Sequence, residues 1–233
     1  MARSAMIKPP FFEIGPKAYL FGDDVVELAV AADRASVEFD VDVIFTTPFV
    51  DIRRVAEATE RIRVFAPHMD AIRPGRGLAD ILPEAVKAAG AVGVMLNHCE
   101  RPITFDVLRQ TIARADELEL CTIVCANSIA EARCIAHLKP DIIVAEPTEL
   151  IGTGQASDMG YVRASIEAVK GVDPGVLVLQ GAGISSGADV YRVIAAGAEA
   201  TGSSSGIMKA PDRAAMAREM IRAAREAWDH AHA

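Results

Sequence analysis

The chain has 233 residues, of which 51% are hydrophobic and 5% aromatic, so it is long enough to bury a large core. Its formal net charge of −8 argues against a nucleic-acid partner, which would need a basic surface. The sequence lacks the apolar run of a signal peptide or a membrane span, which predicts a cytoplasmic protein that does not associate with membranes.

Short apolar runs that recur along the chain are predicted strands. They cover residues 11–14, 41–46, 63–66, 92–96, 121–125, 142–145, 176–180 and 198–202. Successive runs begin about 20 to 35 residues apart, the length of one strand–helix unit. The segments between them show helical spacing, and residues 212–230 form a predicted amphipathic helix after Pro211.

Eight strands that alternate with helices predict an α/β fold, a single (βα)8 barrel forming one domain over residues 1–233. A doubly wound sheet is the alternative. In a barrel the carboxyl ends of all strands meet at one face, where active sites are built. Residues that directly follow the strands are therefore the first candidates for function.

Lys17 and His98 each follow a predicted strand. Lys17 comes after Gly15 and Pro16, and would place a cation at the barrel mouth unless it is an ordinary surface lysine. His98 lies in the segment Asn-His-Cys-Glu-Arg at 97–101, and residues 100–102 after it read as the first turn of a helix. A helix start disfavours imidazolium, so a neutral ring could donate to a substrate oxygen, with a structural histidine as the alternative. Glu100 could hold the Lys17 ammonium in place, a contact that the sequence by itself does not show.

Glu146 follows the sixth strand and enters the loop Pro-Thr-Glu-Leu-Ile-Gly-Thr-Gly at 147–154. A strand end fixes a general base, and Gly152 and Gly154 allow backbone amides to approach a phosphate closely. The combination predicts proton removal from a small phosphorylated molecule beneath a closing loop. The alternative is a carboxylate that caps a helix or pairs with a cation.

Two glycine-rich segments, 180–187 and 202–206, follow the last two strands. In the first, Gly183 and Ser185 would present amides to a phosphate at a helix N-terminus, and Ser204 and Ser205 would do so in the second. The first segment also imitates a dinucleotide-binding turn, the basis for a nicotinamide-dependent oxidoreductase as an alternative. Its glycine spacing differs, however, and too few strand–helix units follow it.

The four cysteines at 99, 121, 125 and 134 lack the spacing of a zinc site, so the sequence predicts buried free thiols and no metal.

Over residues 12–212 the chain resembles the triosephosphate isomerase family, especially its shorter archaeal branch. The resemblance rests on residues 97–101, which match the family pattern [GN]-H-S-E-R, and on Glu-Pro-x-x-x-Ile-Gly-Thr-Gly at 146–154. Further similar segments are 64–68, 181–185 and 205–210. The resemblance implies a TIM barrel that isomerises dihydroxyacetone phosphate and glyceraldehyde 3-phosphate, a step of glycolysis and gluconeogenesis, without a cofactor.

By this resemblance Glu146 is the base, His98 the electrophile and Lys17 the cation that steadies the enediolate, while residues 147–154 form the closing loop. The substrate is a small phosphorylated sugar. The resemblance also implies a homodimer or homotetramer.

The chain departs from the family pattern at several positions. Gly15 stands where the family has an asparagine, so one amide donor to a substrate oxygen is lost. Cys99 replaces a serine, and Pro67 a common glutamine. Residues 76–78 differ from the usual subunit-contact segment. These changes leave two alternatives, an isomerase of a four-carbon sugar phosphate such as an erythrulose phosphate, and a phosphosugar-binding protein without efficient catalysis.

Overall fold

The computed structural model describes residues 7–147, 158–181 and 183–233, and eight parallel strands in this part of the chain form one closed barrel. The strands are β1 Phe11–Ile14, β2 Asp42–Thr46, β3 Arg63–Ala66, β4 Gly93–Leu96, β5 Cys121–Ala126, β6 Ile142–Ala145, β7 Leu177–Gln180 and β8 Ala200–Ser203. Pairing of β1 with both β2 and β8 closes the barrel. The predicted fold class is confirmed, and the doubly wound alternative is wrong.

Helices separate the strands along the chain. They are α1 Asp23–Phe39, α2 Ile52–Ala58, α3 Pro83–Ala88, α4 Phe105–Glu117, α5 Ile129–Ala136, α6 Met159–Lys170, α7 Gly187–Ala195, α8 Ser205–Met208 and α9 Arg213–Ala231, with a short 3-10 helix at Phe49–Asp51. Most of the longer helices begin at a side chain that accepts a hydrogen bond from the first turn. These caps are Thr104, Ser128, Asp158, Ser186 and Asp212.

Side chains alternate along each strand between the barrel interior and the helix layer. One buried cluster fills the interior and includes Phe11, Ile44, Phe65 and Ile142. A larger cluster, which includes the neighbouring Phe12 and Phe45, packs between strands and helices. The same alternation directs Glu13, two residues after Phe11, into the interior close to the carboxyl ends of the strands.

The C-terminal helix α9 packs against α1 and α7 and buries Met220 and Ile221, in agreement with the predicted helix at 212–230. The cysteine prediction is right in part. Cys121 and Cys125 are buried free thiols in β5, whereas Cys134 is exposed on α5. Among the described residues, every helix is too short or too polar to cross a membrane.

Candidate active site

The carboxyl ends of the strands open into a cavity of about 730 Å³. Residues from all eight strands or from the loops that follow them line it. Among the residues predicted from the sequence, the lining includes Lys17, His98, Glu100, Glu146, Gly183, Ser204 and Ser205. The barrel therefore brings together groups that are nearly 190 positions apart in the chain, from Lys17 to Ser205.

Glu146 and His98 face each other across this cavity. The Glu146 backbone N–H donates to the Ala126 carbonyl at 3.0 Å, which extends the strand pairing of β5 and β6 by one residue. Oε2 of Glu146 lies 3.9 Å from Nε2 of His98, and both side chains are largely buried. A Cβ at Gly181 would lie 3.0 Å from Glu146 Cδ, so glycine at 181 leaves the carboxylate its space.

The His98 ring is held in one neutral form. The Glu100 backbone N–H donates to Nδ1 at 3.1 Å, so Nδ1 must carry a lone pair and the ring hydrogen sits on Nε2. Burial, and next the Lys17 ammonium, lower the pKa of His98, against the opposing effect of Glu100. The Nε2–H group is therefore the donor of the ring, and it lies on the side that faces Glu146.

The predicted cause of this neutral state is wrong. Residues 99 and 100 form a turn, and α4 begins only at Phe105. The effect attributed to a helix start comes instead from desolvation and from the neighbouring cation.

Lys17 is fixed beside the histidine. Its Nζ lies 3.4 Å from His98 Nε2 and forms an ion pair with Glu100 Oε1 at 3.1 Å, so the predicted contact between Glu100 and Lys17 is present. The Lys17 backbone has a φ of 49°, in the left-handed region that residues other than glycine seldom adopt. Two donors, Nζ and Nε2–H, thus converge on a single position where an oxygen could bind.

Asn97 braces the loop that carries His98, a role that the sequence analysis did not assign. Its Nδ2 donates to the Cys125 carbonyl at 3.0 Å and to Glu131 at 3.1 Å, while its Oδ1 accepts from the Ile103 N–H. These bonds tie both ends of the loop to β5 and α5. Its position directly before His98 in the motif was the signal available in the sequence.

The glycine-rich loops after β7 and β8 touch each other. The Ser203 hydroxyl donates to the Ile184 carbonyl at 2.8 Å, and a Cβ at Gly206 would lie 2.5 Å from the same carbonyl oxygen. Gly183, at a φ of 71°, turns the first loop into the cavity. Ser204 and Ser205 bring the second loop to the same end of the cavity.

Ser185 and Gly152 differ from the other predicted phosphate-binding residues. The Ser185 amide and hydroxyl both donate to Asp189, at 3.1 and 3.0 Å, and the residue is exposed outside the cavity lining. The helix predicted to begin there starts at Gly187, because Ser186 is its cap. Gly152 lies outside the described residues, as does most of the predicted closing loop.

A dinucleotide-binding turn needs an acidic residue about 20 positions further along the chain, and Glu199 is the residue at that distance from Gly181. Glu199 pairs with Lys170 at 2.8 Å and accepts the Val178 N–H at 2.8 Å, so it holds β7 in place.

Glu13 was missed as a site residue. It lines the floor of the cavity and is buried, and desolvation raises its pKa from 4.5 to about 7. A glutamate within the strand Phe-Phe-Glu-Ile was the signal, because an unpaired charge is seldom buried without a purpose.

Comparison with known proteins supports one family. A model of the family described as triosephosphate isomerase matches residues 17–220. A triosephosphate isomerase of Sulfurisphaera tokodaii is 38% identical over 208 residues, covering 87% of this chain and 90% of that protein. One from Saccharolobus solfataricus is 35% identical, with coverages of 94% and 97%. One from Methanobacterium bryantii is 37% identical, with coverages of 87% and 92%.

Proposed function

Because the chain belongs to the triosephosphate isomerase family, we propose that it interconverts dihydroxyacetone phosphate and glyceraldehyde 3-phosphate by proton transfer through an enediolate. The observation that carries this proposal is the approach of Glu146, His98 and Lys17 at the barrel mouth, with 3.9 Å between the carboxylate and the imidazole. The relatives named above are all triosephosphate isomerases, which favours the three-carbon reaction over a four-carbon substrate or a binding-only role.

In this reaction Glu146 removes the proton from the carbon next to the carbonyl group, and the electron pair of that bond moves toward the carbonyl oxygen. His98 Nε2–H and the Lys17 ammonium donate to this oxygen as negative charge develops on it. His98 then moves a proton between the two oxygens, and Glu146 returns its proton to the neighbouring carbon. The neutral imidazole suits this task because it is already a donor and its conjugate acid is disfavoured.

The phosphate group occupies the part of the cavity that the loops after β7 and β8 line. Gly183, Ser204 and Ser205 line this part of the cavity and hold the phosphate through backbone amides and hydroxyls. Gly152, which lies outside the described residues, is assigned the same role. Ser185 takes part by exchanging its bonds to Asp189 for bonds to the phosphate.

The test is turnover of glyceraldehyde 3-phosphate by the purified chain and by Glu146→Gln. The variant keeps the size of the side chain but cannot take the proton, so kcat falls by at least about 10²–10⁴-fold. Binding of inorganic phosphate stays within about twofold, because that part of the cavity is unchanged. Glu167→Gln, which replaces an exposed carboxylate on α6, is the matched control and keeps full activity. A folded wild-type chain without turnover would refute the proposal.

We further propose that the chain assembles as a homodimer or homotetramer. Loops after β1, β2 and β3 surround the cavity mouth and carry strongly exposed apolar side chains, Phe21 at 78%, Val50 at 82% and Leu78 at 102% exposure. Apolar groups gathered on one face favour burial against a second copy. Sedimentation velocity on the wild type and on Leu78→Asp checks this, with the variant shifted to the monomer. A wild-type chain that sediments as a monomer at micromolar concentration would contradict it.

A further inference from the structure

Glu13 occupies the floor of the cavity, beneath the groups assigned to catalysis. It pairs in register with Ile44 on one side and Gly202 on the other, and its side chain points inward. The residue is only 7% exposed. The mechanism proposed above does not use it, so its burial has no explanation in that chemistry.

Two glycines make room for this carboxyl group. A Cβ at Gly202 would lie 2.9 Å from Glu13 Cβ, and a Cβ at Gly15 would lie 3.2 Å from Glu13 Oε1 and 3.1 Å from Ser204 Oγ. Residue 15 is two positions along the same inward face of the chain. The carboxyl group of Glu13 therefore reaches the place where a side chain at position 15 would begin.

One oxygen of this carboxyl group has no hydrogen bond to the described residues. Among the described residues, Glu13 Oε1 and the nearby Thr46 Oγ1 are buried polar atoms without a hydrogen-bond partner. Buried polar atoms are normally satisfied, and leaving one unpaired costs about 1–3 kcal/mol. Both residues line the cavity, so a molecule bound there can reach Glu13 Oε1 and give it a hydrogen bond.

We propose that the carboxyl group of Glu13 hydrogen-bonds directly to a substrate oxygen at the reacting carbons, through the space that Gly15 leaves open. The inference rests on the proposed function, since it takes the reacting carbons to lie between Glu146 and His98. Glu13 then supplies, from two residues earlier, the contact that an asparagine at position 15 supplies in the family pattern. It is a catalytic residue in the sense that it touches the substrate.

The protonation of Glu13 determines the direction of this bond. The charged and titratable groups that face it are Lys17 after β1, Glu146 after β6 and Cys125 on β5. Desolvation raises its pKa to about 7, Thr46 and Lys17 oppose the rise, and Glu146 adds to it. An anionic substrate adds further negative charge, so the bound form is the neutral acid, which donates its O–H to the substrate oxygen.

The experiment compares Glu13→Ala, Glu13→Gln, Gly15→Asn and the double variant Glu13→Ala/Gly15→Asn. Glu13→Ala lowers kcat/KM by about 10- to 100-fold, the loss expected for one hydrogen bond to a charge-bearing oxygen. Gly15→Asn is also impaired, because its side chain meets Glu13 and Ser204. The double variant recovers at least about fivefold over Glu13→Ala, because the amide then has both the space and the oxygen to bind.

The pH profile separates a contact from a merely structural role. In the wild type kcat/KM declines above about pH 7 as Glu13 loses its proton. Glu13→Gln has a higher kcat/KM than Glu13→Ala, since its amide still donates, and its kcat/KM does not decline above pH 7. Unfolding in urea identifies any variant that fails to fold, and Glu13→Gln, which preserves the side-chain size, then carries the test.

Binding of 2-phosphoglycolate, a planar mimic of the enediolate, tests the inference independently of turnover. Glu13→Ala weakens it by about tenfold or more and leaves binding of inorganic phosphate unchanged. Equal 2-phosphoglycolate affinity in the wild type and in Glu13→Ala, or kcat/KM within about twofold together with an unchanged pH profile, would overturn the inference. If the wild type shows no turnover, only the proposed function is refuted. The comparison of 2-phosphoglycolate affinity between the wild type and Glu13→Ala still tests the role of Glu13.

Discussion

At the scale of single residues, burial shifts the pKa values of Glu13 and His98 in opposite directions, and both shifts favour the neutral form. It raises the pKa of the acid and lowers the pKa of the base, so both groups favour their neutral forms in the cavity. A neutral carboxylic acid and a neutral imidazole each present one hydrogen to an oxygen. Two uncharged donors thus line a pocket whose charged groups include Lys17 and Arg101.

Glu13 makes the stability of the protein depend on pH. Its pKa rises from 4.5 in the unfolded chain to about 7 in the folded one, so the native state binds more protons between these values. Its contribution to stability is therefore complete below about pH 4.5 and is lost as the pH rises through 7. Glu13→Gln removes this dependence. Between about pH 5 and pH 8.5, the free energy of unfolding of the wild type falls relative to the variant by on the order of 3 kcal/mol.

Urea unfolding at several pH values measures this difference. Glu167→Gln, at an exposed site, serves as the control and follows the wild type. Parallel stability curves for the wild type and Glu13→Gln would show that the carboxyl group is not shifted.

His98 is expected to titrate below its ordinary pKa of 6.5. NMR of the labelled imidazole follows its protonation, and the urea-unfolded chain provides the reference. Lys17→Met raises the pKa of His98 toward that reference, because it removes the ammonium that disfavours imidazolium. A His98 that titrates at or above the unfolded value would contradict the neutral-donor role.

At the scale of elements, the loop after β4 depends on one side chain. Asn97 bonds to β5, to α5 and to the end of its own loop, with its backbone at a φ of 57°. Glycine accepts this φ freely, so Asn97→Gly removes the three bonds without adding strain. The loop that carries His98 and Glu100 is then held less firmly.

Asn97→Gly is expected to lower kcat by about tenfold or more and stability by about 1–3 kcal/mol. The binding of inorganic phosphate to the loops after β7 and β8 stays unchanged. Steady-state kinetics and urea unfolding measure both effects. Gln110→Ala also loses a side-chain hydrogen bond, to Asp106 on the exposed face of α4, but it leaves the His98 loop untouched and keeps its kcat. Equal losses of kcat in the two variants would refute the specific role of Asn97.

At the scale of the whole molecule, the first and last strands pair with each other, so the barrel is closed only when both ends of the chain are in place. Helix α9 adds to this closure by packing against α1 and α7. Elements distant in sequence depend on one another, which favours the predicted single domain over residues 1–233.

We expect this domain to unfold in one cooperative step. Fluorescence of Trp228, the only tryptophan, reports on α9, whereas far-UV circular dichroism reports on all helices. The two signals are expected to give the same urea midpoint. Separate midpoints would show that α9 detaches before the barrel opens, and Trp228→Phe identifies the fluorescence that belongs to this residue.

The sequence alone was sufficient for the barrel and for the placement of its principal site residues. The apolar runs repeat at the interval of a strand–helix unit, and parallel strands in a barrel direct all their carboxyl ends to one face. Lys17, His98 and Glu146 follow three of these strands directly. Their meeting in one cavity therefore follows from local pattern and topology, without knowledge of any particular contact.

Other features depend on neighbours that are distant in the chain, and only the tertiary structure decided them. His98 is neutral because of burial and Lys17, since no helix begins where the sequence pattern indicated one. Ser185 is engaged by Asp189, although its own segment resembles a phosphate cradle. Glu13 reaches the cavity because Gly15 directly follows β1 and Gly202 lies on β8, two strands that become neighbours only when the barrel closes. Desolvation and the fit of side chains arise from packing, which the order of residues along one strand does not contain.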